Sequence, residues 1–219
     1  MLWRQNLNNV EGSVMFTGII QAICSVNDII KQPGLWRFEM LFNETLVANL
    51  QHGASVAHNG VCLTVAGQTG NLVYFDVMEE TLNVTNLSQL VSGGLVNVER
   101  AMRYGDEVGG HILSGHVQLM ARLIEREANE QNSRLRFECD PQWMKYILPK
   151  GFAAIDGASL TIGQTGENWF EVYLIPETRT LTTLDCKPIG AFYNIEIDSQ
   201  TQAIVDTVER VLAEKNIKR

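Results

Sequence analysis

The chain has 219 residues, 45% of them hydrophobic, and a formal charge of −8 at pH 7. That length allows one large domain or two small ones with a real core. The acidic balance argues against nucleic acid, which needs a basic footprint, and no apolar run approaches the ~20 residues of a membrane span.

Taken in chain order, residues 1–14 hold one arginine and no apolar stretch of the signal-peptide kind, so the chain reads as cytoplasmic. Glu11-Gly12 is encodable by a purine-rich ribosome-binding stretch ahead of Met15, so Met15 is the expected native start. If translated, the extension is expected to be disordered and to crowd a nearby pocket.

From there the chain repeats itself at a spacing of 97 residues, as from Thr64 to Thr161. Asn59-Gly60-Val61-Cys62-Leu63-Thr64-Val65 returns as Asp156-Gly157-Ala158-Ser159-Leu160-Thr161-Ile162. In the same register Thr17-Gly18 falls on Ser114-Gly115, Glu80-Thr81 on Glu177-Thr178, and Val96-Asn97-Val98-Glu99 on Tyr193-Asn194-Ile195-Glu196. Two copies of one domain are expected.

Each copy reads as short strands. Residues 73–77 and 169–173 are rich in β-branched and aromatic side chains. Asn59-Gly60 and Asp156-Gly157 are hairpin-turn dipeptides, and Gly67–Asn71 and Gly163–Asn168 bound the next hairpin. Such a domain hides its strand edges best by closing into a barrel. Ile204, Val208, Val211 and Leu212 then take up helical spacing. Asp198 or Ser199 is the expected N-cap, with Lys215, Lys218 and Arg219 at the negative end of the dipole. This stripe can pack on its own barrel or on other copies of itself; both remain open.

The two copies differ where chemistry is expected. Cys62 in one matches Ser159 in the other, each two residues from a threonine (Thr64, Thr161) and so on the same strand face. Each pair is either a ligand-facing set or a small polar pair satisfied by backbone. His111-Ile112-Leu113-Ser114-Gly115-His116 opens the second copy, either as surface histidines at a joint or as groups that titrate near neutrality and move protons. Glu80 and Glu177 lie at strand ends, where solvated carboxylates are common. His52 and His58 read as ordinary exposed positions, and Lys150 as a surface charge that could meet an anionic ring. Cys24, Cys62, Cys139 and Cys186 form no Cys-x-x-Cys pair, so free thiols are expected, with neither disulfides nor a zinc site.

Together, Met15-Phe16-Thr17-Gly18-Ile19, the segment 57–65, Gly109 through Val117, Lys150-Gly151, Asp156 through Thr161, Leu174 through Thr178 and Val208-Glu209-Arg210 resemble the riboflavin synthase family of α-chain type. The resemblance implies an all-β chain of two tandem six-stranded antiparallel Greek-key barrels (15–110 and 111–198) with a C-terminal helix (199–219) that builds a homotrimer. It implies dismutation of two molecules of 6,7-dimethyl-8-ribityllumazine, with no cofactor or metal. One half-site would use Gly18, Ile19, Ile20, Cys62, Leu63, Thr64, Asp76, Val77, Met78, Glu79, Glu80 and Thr81, with Gly115, His116 and Val117 at the seam. The other would use Lys150, Ser159, Leu160, Thr161, Tyr173, Leu174, Ile175, Pro176, Glu177 and Thr178. In this scheme His116 moves protons, His111 supports the site, and Ser159 and Thr161 orient one ring. Cys62 and Thr64 hold the other, and Phe16 lines the pocket. Two rival readings are a non-catalytic lumazine- or flavin-binding antenna protein and a pair of oligonucleotide-binding barrels, the latter disfavoured by charge.

Overall fold

The computed structural model describes residues 15–217, so the expectations for residues 1–14 and for Lys218 and Arg219 lie outside the described residues. Among the described residues, alternation of apolar and polar residues builds twelve strands in two closed antiparallel barrels. The first uses β1 (Ala22–Gln32), β2 (Leu35–Leu41), β3 (Ser55–His58), β4 (Val61–Thr69), β5 (Leu72–Met78) and β6 (Leu95–Arg100). The second uses β7 (Leu119–Ala128), β8 (Ser133–Glu138), β9 (Phe152–Ile155), β10 (Ala158–Thr165), β11 (Trp169–Leu174) and β12 (Phe192–Ile197). Short helices α1 (Glu44–Val47), α2 (Glu79–Val84) and α3 (Pro176–Leu181) join strands, and α4 (Ser199–Ile217) closes the described chain. No described helix is long and apolar enough to cross a membrane.

Strand order is β1-β2-β5-β4-β3-β6, and the second barrel repeats it; the return of β6 beside β3 is the Greek-key crossing. The duplication extends to irregularities. Register shifts fall between Val26 and Asp28 and again between Leu123 and Glu125, and a second pair falls after Val65 and after Ile162. Such bulges bend strands far enough for six of them to close a barrel.

Inward positions fill each core. Val26, Phe38, Met40, Val73, Phe75 and Val96 pack in the first barrel; Leu123, Leu135, Phe137, Phe170, Val172 and Tyr193 pack in the second. Cys24 and Cys139 join these cores, where burial pushes their thiols up to about 12 and about 11.

His58 departs from expectation. It is 2% exposed, with its ring edge-on to Phe75 at 4.3 Å and stacked at 5.9 Å on Phe42. The second copy has Ile155 at the equivalent position, so the structure puts an imidazole where the repeat wants a hydrocarbon. Nδ1 lies 3.3 Å from the Val56 carbonyl, and Nε2 has no partner among the described residues. Burial depresses the folded pKa to about 4. The unfolded chain, with an ordinary value near ~6.5, therefore takes up a proton first as pH falls. Stability from this group is intact above about pH 6.5 and declines down to about pH 4, by about 3 kcal/mol in total. Urea unfolding at pH 7.5 and pH 4.5 should show that decline in the wild type and a much smaller one in His58→Leu. Equal slopes in the two proteins would refute it.

The barrels meet turn to turn. Asn59-Gly60 and Asp156-Gly157 take the left-handed conformation expected of these hairpins, and their glycines abut so closely that a Cβ on Gly60 would lie 2.8 Å from the Gly157 nitrogen. Around them runs a buried polar network. Asn97 donates its backbone N–H to Asn59 and its side-chain amide to the Asp156 carbonyl, and Asn194 mirrors this towards Asp156 and Asn59. Lys187 pairs with the buried Asp156 carboxylate.

Candidate functional site

At the second point of contact the copies exchange segments. Phe16 and Leu113 form an antiparallel bridge, with N–H···O distances of 2.8 and 3.0 Å in the two directions. Beyond it each strand leads its glycine to the other barrel: Gly18 accepts from the Ser159 N–H at 2.9 Å, and Gly115 accepts from the Cys62 N–H at 2.9 Å. One segment therefore departs from the sequence grouping, that of Gly18, Ile19 and Ile20, whereas the segment of Gly115 stays with Cys62. Gly18, Ile19 and Ile20 line the cleft beside Ser159, and Gly115, His116 and Val117 lie with Cys62.

The Ser159 side is a cleft of about 270 Å³ lined by Gly18, Ile19, Ile20, Ala158, Ser159, Ile175, Glu177, Thr178, Leu181 and Thr182. Its lining is mainly apolar with a few polar groups, the composition that suits a flat heteroaromatic ring. Shifting each lining residue by the repeat places Gly115, His116, Val117, Cys62, Met78, Glu80, Thr81, Val84 and Thr85 around the equivalent position on the first barrel.

Strand alternation decides which side chains are available. Val61, Leu63 and Val65 point inward on β4, leaving Cys62 half-buried and Thr64 exposed on the outer face; Ser159 and Thr161 stand likewise on β10. Leu63, Val77 and Leu174 are buried in the cores, so only their backbone can meet a ligand, and Leu160 packs against the second core. Asp76 and Met78 on β5, and Tyr173 at the end of β11 with Ile175 after it, face out. Arg37 grips Asp76 through two bonds of 2.7 and 2.9 Å, and this hydrogen-bonded guanidinium holds the Asp76 carboxyl below its usual range. The counterpart Tyr173 instead donates to Glu171 at 2.7 Å. Glu79, Glu80 and Thr81 open α2, and Pro176, Glu177 and Thr178 open α3, so these residues begin helices rather than ending strands.

Ser159 is the polar group in the cleft that meets an imidazole. Its hydroxyl lies 2.6 Å from Nδ1 of His111, whose ring stacks on Phe152 at 5.5 Å. Burial lowers the His111 pKa, which favours the neutral ring. The Cys62 thiol is pushed up, mainly by burial, with a hydrogen bond to the Ser55 side chain opposing. A protonated thiol can hold a ring but is a poor nucleophile.

Three residues lie elsewhere than the sequence suggested. Phe16 is 1% exposed in the seam, packed beneath Gly115 with Leu113 and Ala57. Lys150 and Tyr173 share a shallow concavity with Gly163 and Gln164, apart from the Ser159 cleft. Two residues matched in the repeat were not read as part of the site. Glu99 accepts from Thr17 and Gly18, and Glu196 from Ser114 and Gly115, so each buried carboxylate anchors one exchanged segment. Burial raises both pKa values, and those donors act in the opposite sense. Their recurrence at the repeat spacing was the available signal.

A family model described as the lumazine binding domain matches residues 17–101 and again 114–198. The riboflavin synthase of Escherichia coli (strain K12) is 50% identical over 200 residues, which cover 91% of this chain and 94% of that one. The riboflavin synthase of Chlamydia trachomatis serovar D is 41% identical over 205 residues, covering 94% of this chain and all of its own length. Among solved structures, LumP complexed with riboflavin shares the fold with a TM-score of 0.79 at 23% identity, covering 84% of this chain and 100% of that one. With its lumazine binding domain present twice and relatives matched over nearly their whole length, the chain belongs to the riboflavin synthase family.

Proposed function

We propose that this chain is a cytoplasmic, homotrimeric riboflavin synthase that converts two molecules of 6,7-dimethyl-8-ribityllumazine into riboflavin and 5-amino-6-(D-ribitylamino)uracil. The observation that carries this reading is the duplicated site with unequal chemistry. The same backbone cradle recurs in both barrels, but one presents Cys62 and the other Ser159 hydrogen-bonded to His111. Donor and acceptor are one compound, so related pockets suit both; their fates differ, so the pockets must be inequivalent. No cofactor is invoked, because the lumazine ring is itself electrophilic.

In this reading the units 15–110 and 111–198 each offer a face to one lumazine. Ser159 and Thr161 orient one ring against Ile19 and Ile175; Cys62 and Thr64 hold the other, and His116 moves protons. As the family resemblance implies, the two rings meet where the first barrel of one copy faces the second barrel of a neighbouring copy. Holding them together contributes several of the ~7–11 kcal/mol available from proximity. The test is incubation of the purified chain with 6,7-dimethyl-8-ribityllumazine alone, following riboflavin by absorbance and fluorescence. Catalytic turnover without added cofactor is expected; tight binding without turnover would instead favour the antenna reading.

Helix α4 supports the trimer. Asp198 caps it by accepting from the Thr201 N–H at 2.9 Å, and Tyr146 and Lys145 tie it to the second barrel through Asp206 and Glu209. Yet the stripe of Ile204, Val208, Val211 and Leu212 stays 41–65% exposed, more apolar surface than a helix leaves in water by preference. Truncation after Asp198 is expected to shift the mass in light scattering from three chains to one and to abolish turnover. A trimer that survives truncation would remove the helix from assembly.

A further inference from the structure

Two buried carboxylates hold matching places in the two halves, and only one of them is connected to an imidazole. Glu99 accepts from the Thr17 N–H at 2.7 Å, the Thr17 hydroxyl at 2.8 Å and the Gly18 N–H at 3.1 Å. Glu196 repeats the pattern with the Ser114 N–H at 2.7 Å, its hydroxyl at 2.8 Å and the Gly115 N–H at 3.0 Å. The hydroxyl oxygens then diverge. Thr17 Oγ1 accepts from the backbone N–H of Ile19 at 3.3 Å. Ser114 Oγ lies 3.0 Å from Nδ1 of His116, the residue standing where the first copy has Ile19.

A serine hydroxyl has one proton to give. The Glu196 carboxylate, which has none to offer in return, receives it. The Ser114 oxygen must therefore accept from the ring, so Nδ1 of His116 carries the hydrogen and Nε2 keeps a free lone pair. His116 is exposed, in the place equivalent to the cleft-lining Ile19 and beside Gly115, whose carbonyl accepts from Cys62. We propose that Glu196, acting through Ser114, is a positioning residue that locks His116 in its Nδ1–H tautomer and leaves Nε2 as the proton acceptor of the Cys62 pocket.

The inference rests on the riboflavin synthase reading and deepens it. A C–H bond of the 7-methyl group on the lumazine beside Cys62 breaks, its electron pair enters the conjugated ring, and the proton passes to Nε2. The ring keeps its Nδ1–H bond to Ser114, which Glu196 holds in place, as a carboxylate fixes the tautomer and orientation of a catalytic histidine elsewhere. Ile19 occupies the equivalent place beside Ser159, so duplication of the carboxylate–hydroxyl pair produced one proton-accepting assembly rather than two.

The cleanest perturbation is Ser114→Ala, which breaks the relay while leaving Glu196 its two backbone donors. Ser114→Thr is the conservative control, since Thr17 makes the same bond in the first copy. Two-bond proton–nitrogen correlation on the 15N-labelled full chain reads the tautomer without substrate. Wild type and Ser114→Thr should show protonated Nδ1 and bare Nε2 at His116; Ser114→Ala should shift towards Nε2–H. In D2O, enzyme-dependent deuterium exchange into the lumazine 7-methyl group should slow about tenfold in Ser114→Ala, part of the ~100- to 10,000-fold that a positioned proton-transfer group supplies. Ser114→Thr should restore it. Nε2–H as the wild-type tautomer, or undiminished exchange in Ser114→Ala, would overturn the proposal. A wild type with the Nδ1–H tautomer and relay-dependent methyl exchange, but no riboflavin formed, would support the positioning role and defeat the reading of function instead.

Discussion

Gly60→Ala is expected to lower the unfolding free energy by roughly 2–5 kcal/mol, a large share of the ~5–15 kcal/mol typical of a domain. Two causes add. Gly60 has φ +80°, a left-handed conformation in which a side chain costs about 1–2 kcal/mol. Its new Cβ would also fall 2.8 Å from the nitrogen and 3.1 Å from the Cα of Gly157, and neither is the end of a flexible side chain. The barrels must then move apart, which strains the amide network of Asn59, Asn97, Asp156 and Asn194; overpacking of this kind adds about 1–3 kcal/mol. Gly53 separates the two causes, because it has φ +82° with nothing within 4 Å of its would-be Cβ. Gly53→Ala should lose only the backbone share in the same denaturation experiment. Equal losses at the two positions would show that contact between the turns contributes nothing.

Gly115→Ala is expected to reduce kcat/KM for lumazine about 100-fold or more while the barrels still fold, since a misplacement of about 1 Å at a reacting centre can cost that much. The added Cβ would lie 2.5 Å from the Cys62 Cβ and 3.0 Å from its nitrogen, with the Phe16 ring 3.0 Å away on another side. No rotamer relieves a clash with backbone. The Gly115 segment must withdraw, breaking the bond from the Cys62 N–H and carrying His116 away from its pocket. Circular dichroism would verify the fold, and steady-state riboflavin formation would read the loss. Turnover near the wild-type level would mean that this seam does not position the reacting groups.

These positions mark how much of the molecule was legible beforehand. The repeat at 97 residues, both Asx-Gly turns, the closed barrels and the α4 stripe follow from residue patterns, because turn geometry and strand alternation are local properties. Cys62 and Ser159 were visible as unequal members of one repeat. The buried state of His58 was also within reach, since Ile155 at the equivalent position marks an interior site; its proximity to the Asn-Gly turn made it look exposed.

The sequence by itself determined two copies of one barrel, the family, and the residue types offered to a ligand. Only the tertiary structure decided that Gly18 serves Ser159, that Phe16 belongs to the seam, and that Glu196 stands behind His116. The reason is physical. A strand's period and a turn's left-handed residues are written within a few positions, so they can be read locally. Which barrel an extended segment crosses to depends on contacts such as Gly18 to Ser159, made between residues far apart in the chain, and closing that long loop is settled by the packing of both halves together. Two nearly equal copies make the within-copy and exchanged arrangements alike in local pattern, and the meeting of Gly60 with Gly157 and of Phe16 with Leu113 selects the exchange.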